Sequence, residues 1–156
     1  MTSSFRKHRA RRERGVAMVE FMIVLPLILF LMFAITEIGR VMIRYNALTK
    51  SLQDGARHAA AYALLGTSGS VFVDGALDSE IRNLVVFGDA QGGTDPLLEG
   101  FTTGQVEITV PQPGWVRVEA NYPYVPAMGS SLPSFGFGSS PTLSFDLSAS
   151  VSMRAL

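Results

Sequence analysis

Gly15-Val16-Ala17-Met18-Val19-Glu20-Phe21-Met22-Ile23-Val24-Leu25-Pro26-Leu27-Ile28-Leu29-Phe30-Leu31-Met32-Phe33-Ala34-Ile35-Thr36 is the stretch on which the fold turns. From Phe21 to Thr36 it holds no charged side chain. Val16 to Ile35 makes about 30 Å of helix at ~1.5 Å per residue, the thickness of a bilayer core. Pro26 removes one helical hydrogen bond and predicts a kink, which membrane helices tolerate better than soluble ones. The stretch is long for a cleaved secretory signal, and a small-x-small pattern near Ala34 to Glu37 is poor.

Charge divides sharply at its start. The 156-residue chain is neutral overall, with 13 basic and 13 acidic side chains. Residues 1–15 nevertheless hold Arg6, Lys7, Arg9, Arg11, Arg12 and Arg14 against Glu13 alone. Acidic residues therefore predominate in the remainder. A basic block abutting an apolar span predicts a cytoplasmic N-terminus. A nucleic-acid arm does not normally run straight into a membrane segment, so no nucleic-acid partner is expected. The chain has no cysteine, which excludes disulfides, thiolate metal sites, thiol catalysis and a lipidated thiol anchor.

The helical pattern continues past the span. Ile38, Val41, Met42, Tyr45, Leu48, Leu52, Ala56, Ala59 and Ala63 recur at spacings of three and four, with Arg40, Arg44, Lys50, Asp54 and Arg57 largely off that stripe. A stop falls at Leu64-Leu65-Gly66 and the following Thr67-Ser68-Gly69-Ser70. Gly39 and Gly55 weaken the helix by about 1 kcal/mol each and mark bends or close helix contacts. Val71-Phe72-Val73 reads as a short strand. Asp78 or Ser79 is placed to cap a helix over Glu80 to Phe87, ended by Gly88. Asp89 to Gly104 reads as a loop.

From there the period becomes two. Val106, Ile108 and Val110 alternate with polar residues, Pro111-Gln112-Pro113-Gly114 turns the chain, and Val116, Val118, Ala120 and Tyr122 alternate again. That is a hairpin signal. Pro123 to Pro141 reads as a Gly/Ser/Pro loop bearing Tyr124, Phe135 and Phe137. A last strand sends Leu143, Phe145, Leu147, Ala149, Val151 and Met153 to one side. Such a sheet needs a cover for its apolar face, and the outer half of the long helix is available. The expected class is α+β, a long N-terminal transmembrane helix continuing into a pilin-like domain with a small antiparallel sheet. Its parts are a basic cytoplasmic leader (1–15), the transmembrane helix (16–36), the extension of that helix (37–66) and an exterior α+β domain (67–156).

The run from Arg14 to Phe21 resembles a type IV prepilin signal, in which a peptidase cuts after the glycine and the mature helix carries Glu at its fifth position. Counted from Val16, Glu20 is the fifth residue. More widely, Gly15, Val19-Glu20-Phe21, Pro26, Glu37, Gly39-Arg40, Tyr45-Asn46-Ala47 and Asp54-Gly55-Ala56-Arg57 resemble the TadE-like family. These are minor pseudopilins of the tight-adherence (Tad/Flp, type IVc) pilus system of bacteria. The resemblance is strong over Arg12 to Ala60 and weaker at Ile81 to Gly88 and at Ser152-Met153-Arg154. It implies leader cleavage between Gly15 and Val16, assembly through Glu20 and Phe21, and a single-pass protein of the bacterial inner membrane. The implied partners are the inner membrane, a prepilin peptidase, other pilus subunits and the Tad assembly platform.

Each candidate also has a bland reading. Glu20 is either a carboxylate tolerated near the headgroups or the partner of a neighbour's freed Val16 amine. Gly15 either admits a peptidase to the backbone or merely begins a helix. Glu37 with Arg40, and Asp54 with Arg57, read as solvated ion pairs. Asp74, Asp78 and Glu80 lack the spacing of a calcium loop. His8 and His58 fall on opposite sides of the span, so no histidine cluster forms within one subunit. Trp115, Tyr122, Tyr124, Phe135 and Phe137 read as core and loop anchors. No nucleophile motif, phosphate loop or metal box is visible, so neither an enzyme nor a cofactor is expected. The rivals are an unprocessed membrane-anchored envelope binding or assembly-scaffold protein, and an anchored hydrolase.

Overall fold

The computed structural model describes residues 3–63, 71–127, 129, 138 and 144–155, with the side chains of 3–14 left aside. The expected stop after Leu64, the anchors Phe135 and Phe137, and Leu143 lie outside the described residues. The elements are α1 (Ser3–Tyr62), α2 (Gly75–Phe87), a 3-10 turn (Thr103–Gln105), β1 (Val106–Thr109), β2 (Trp115–Tyr124) and β3 (Phe145–Arg154). The chain divides into two compact units, Met1–Arg40 and Val41–Leu156.

The first unit consists of helix alone among its described residues. The helix starts at Ser3, ahead of the start near Val16 that apolar periodicity suggested, and continues through Pro26. Every large apolar side chain from Val16 to Ile35 is exposed. Leaving so many in water is untenable, since burying each contributes about 1.5–3 kcal/mol. This is one helix long and apolar enough to cross a membrane, with a mean hydropathy of 2.7 in its best window.

The second unit is a two-layer α+β domain. Its sheet has the order β1-β2-β3, antiparallel throughout. The core joins Leu48, Leu52, Ala56 and Ala59 of α1, and Ala63 just past its end, to Leu77, Ile81, Val85 and Val86 of α2. The sheet contributes Val116, Val118, Ala120, Tyr122, Tyr124, Leu147 and Ala149. The outer part of the long helix therefore does cover the sheet. Its stripe is shorter than periodicity suggested, because Ile38, Met42 and Tyr45 remain exposed. Full burial begins at Leu48.

Gly55 shows why small residues line this part of α1. A Cβ there would lie 2.4 Å from Val85 Cγ2, so glycine permits the close approach of α1 and α2. At Gly39 a Cβ would meet nothing within 4 Å. Only one of the two glycines marks a close contact.

Three local expectations need correction. Val71-Phe72-Val73 is not a strand; Val71 makes an isolated bridge. Helix α2 starts at Gly75, ahead of the expected Glu80, because Asp74 accepts the Leu77 N–H at 2.8 Å as N-cap. Asp78 and Ser79, the expected caps, sit inside the helix. Strand β2 runs through Pro123 to Tyr124, which sequence assigned to a loop. Pairing with β1 involves only Arg117 to Ala120 of β2, so the proline interrupts no ladder on that side. Gly88 does end α2, with φ 77° and its N–H donating to Leu84 O at 2.9 Å.

Candidate functional site

The residues singled out in the sequence lie on the exposed helix of the first unit. Val16, Glu20 and Phe21 are exposed, and Gly15, Val16, Val19, Glu20 and Ile23 line one shallow patch of its surface. Val16 and Glu20 are four residues apart and so one helical turn apart on the same face. A Cβ on Gly15 would meet nothing within 4 Å. Packing within the chain therefore gives no reason for glycine there. Near the far end of the apolar run, Thr36 Oγ1 donates to Met32 O at 2.9 Å, which satisfies its hydroxyl inside the helix.

In the second unit the polar side chains form joints. Arg44 is the main one, and its position off the apolar stripe concealed it. Its Nη1 donates to Tyr122 Oη at 2.9 Å, and its guanidinium carbon lies 5.3 Å from the centre of the Tyr124 ring. Tyr122 in turn donates to Glu99 O at 2.9 Å. Arg44 thereby fixes α1 to the end of β2. The Tyr124 ring continues the series, 5.3 Å from Phe145. Tyr122 and Tyr124 are core anchors, and Trp115 is half-buried at the start of β2.

Arg82 is a second joint. It pairs with Asp78 at 2.6 Å and donates to Thr103 O at 3.0 Å and to Val106 O. The guanidinium fork thus ties α2 to the 3-10 turn and the start of β1. A third link joins His58 Nε2 to Glu80 Oε2 at 3.1 Å, across α1 and α2.

The three carboxylates weighed as calcium ligands each have a protein partner: Asp74 the Leu77 N–H, Asp78 Arg82, and Glu80 His58. Arg57 lies 3.9 Å from Asp54, both substantially exposed, as a solvated pair should be. Arg44 and Arg82 escaped sequence reasoning because their partners lie 78 and 21 to 24 positions away.

A family model described as "TadE-like protein" matches residues 15–57. The match begins at Gly15 and ends at Arg57, within α1. No curated protein matches the chain significantly, and no solved structure does so either. Over this segment of its long N-terminal helix, the chain is similar to TadE-like proteins.

Proposed function

We propose that this chain is a minor pseudopilin that takes part in assembling an adhesive Tad/Flp-type pilus. The observation that carries the reading is the TadE-like match, which starts at Gly15 and follows the exposed apolar helix. The chain is anchored in the bacterial inner membrane by a single span, with its basic end cytoplasmic and its α+β domain on the other side. Its role is structural and not enzymatic. Its partners are a prepilin peptidase, the other pilus subunits and the Tad assembly platform.

The peptidase cuts between Gly15 and Val16. Support comes from Gly15, which is exposed and free of any packing duty. A glycine within a helix costs about 1 kcal/mol relative to alanine, so the helix opens most easily where the enzyme must reach the backbone. Cleavage creates a new amine at Val16. Glu20 then pairs with that amine on a neighbouring subunit, because an unpaired carboxylate in low dielectric is strongly unfavourable. Phe21 packs beside it.

Mass measurement of the N-terminus of the membrane-extracted protein tests this. The expected chain begins at Val16. Finding only chains that begin at Met1 would overturn the cut, and with it the partner assigned to Glu20.

A further inference from the structure

The last strand repeats one alternation, Leu147-Ser148-Ala149-Ser150-Val151-Ser152-Met153, with Asp146 before it and Arg154 after it. Apolar and polar side chains at period two make a regular pleat. β3 pairs with β2 residue for residue from Phe145 to Arg154, and no bulge interrupts the register. It is also the last strand of the sheet. Its other side therefore presents a row of backbone N–H and C=O groups, and among the described residues no backbone group bonds to them.

Sheets ordinarily protect such an edge with a short strand, a charge, a proline or a bulge. The opposite edge does so. β1 has only four residues, carries Glu107 within it and runs on into Pro111 and Pro113. β3 has ten residues and uses none of these devices between Leu147 and Met153. An edge this long and this uncharged is a template for another strand.

Charge indicates which strand fits. Asp146 and Arg154 are exposed at the two ends of β3, and among the described residues neither forms an ion pair. A second β3 laid antiparallel sets each Asp146 opposite the other copy's Arg154, with Ser150 opposite itself on a two-fold axis. Residues directly opposite share a face of the sheet, so Leu147 then meets Met153 and Ala149 meets Val151. Val151 and Met153, only half-buried in one copy, gain apolar neighbours. Sliding by one residue, with Phe145 opposite Arg154, would set Leu147 against Ser152 and turn one apolar face outward. A parallel arrangement would bring like charges together at both ends.

We infer that two copies of this chain join along the outer edges of β3 in that antiparallel register, making one continuous sheet of their two three-stranded sheets. The occupant of the edge is a second copy of this chain. The contact lies wholly within the second unit, and it depends neither on leader cleavage nor on a place in a pilus.

The full chain in detergent micelles tests this by sedimentation and by crosslinking, with no native cysteine to remove. Ser150→Cys is expected to give a disulfide-linked dimer on mild oxidation, since it meets its own copy at about 5 Å between Cβ atoms. Ser148→Cys and Ser152→Cys each lie about 14 Å from their own copies, so each alone should link poorly and the two mixed should link well. Ser150→Lys sets two ammonium groups opposite each other. It should raise the dimer dissociation constant roughly tenfold or more while circular dichroism and unfolding followed at Trp115 stay unchanged. Asp146→Arg should weaken the dimer, and adding Arg154→Asp should restore it. A chain that stays monomeric overturns the proposal. A dimer that Ser150→Lys leaves intact is seated elsewhere and overturns it too. Ser148→Cys linking to itself as readily as Ser150→Cys overturns the register. A monomer whose Ser150→Cys resists a soluble maleimide has the edge covered by its own chain, and the second copy is then excluded. Crosslinking of Ser150→Cys to a co-expressed pilus subunit in place of itself assigns the edge to that subunit, with the same result.

Discussion

Val16–Ile35 and Leu48–Ala60 are both apolar stretches of α1, yet they solve opposite problems. The first shows large side chains all round the helix, all exposed. The second buries a narrow stripe of leucine and alanine against α2 and the sheet. Lipid accepts apolar surface in any direction and has no fixed shape. A protein neighbour covers one face and requires a fit. Bulk therefore dominates where the cover is fluid, and small residues dominate where two helices must approach. Gly55 against Val85 is the extreme of the second case.

Substitutions can break this contrast, and the lone Trp115, half-buried in β2, reports unfolding of the second unit in the solubilised full chain. The largest expected effect is at Leu52, which is wholly buried. Leu52→Ala should cost about 2–5 kcal/mol, through lost burial and the cavity left behind. Leu29→Ala in the exposed stretch should leave the Trp115 transition where it is. An equal fall for both would mean that the two stretches are not distinct in kind.

The glycines sharpen the contrast further. Gly55→Ala drives a Cβ into Val85 and should destabilise the second unit by about 1–3 kcal/mol, outweighing the gain in helix propensity. Gly39→Ala meets open space and should not lower the transition. A neutral Gly55→Ala would show that Val85 moves aside readily, and that close approach is not what glycine secures.

The smallest effect is expected for the arginines. Arg44→Met removes the hydrogen bond to Tyr122 and the contact with Tyr124, a loss of about 1 kcal/mol. Tyr122 keeps its bond to Glu99 O, so no buried hydroxyl is stranded. Arg40→Met should change nothing in thermal unfolding followed at Trp115. A fall of the same size for both would reduce Arg44 to a surface charge.

These outcomes follow the line between what sequence discloses and what it conceals. The span, the buried stripe from Leu48, the hairpin and β3 were legible because each repeats a pattern with its own period. The cap Asp74 was hidden by Gly75, which reads as a breaker although it opens α2. Pro123 hid the end of β2, since nothing local reveals that β1 has already stopped pairing there. The exposure of Met42 and Tyr45 depends on where the sheet ends, which periodicity does not encode. At the N-terminal site the residues were legible by resemblance. Their geometry adds only that Gly15, Val16 and Glu20 are accessible and that Val16 and Glu20 share a face.

The bond from Arg44 to Tyr122 joins positions 78 residues apart. Closing so long a loop is entropically costly, so the contact is expected to form after the β1–β2 hairpin and the local turns of α2. Interactions absent from the folding transition state act on the rate of unfolding and leave the rate of folding nearly unchanged. Arg44 then governs how long the folded domain lasts more than how quickly it is reached. Where the unfolded chain is lost to proteolysis or aggregation, lifetime is the quantity that counts.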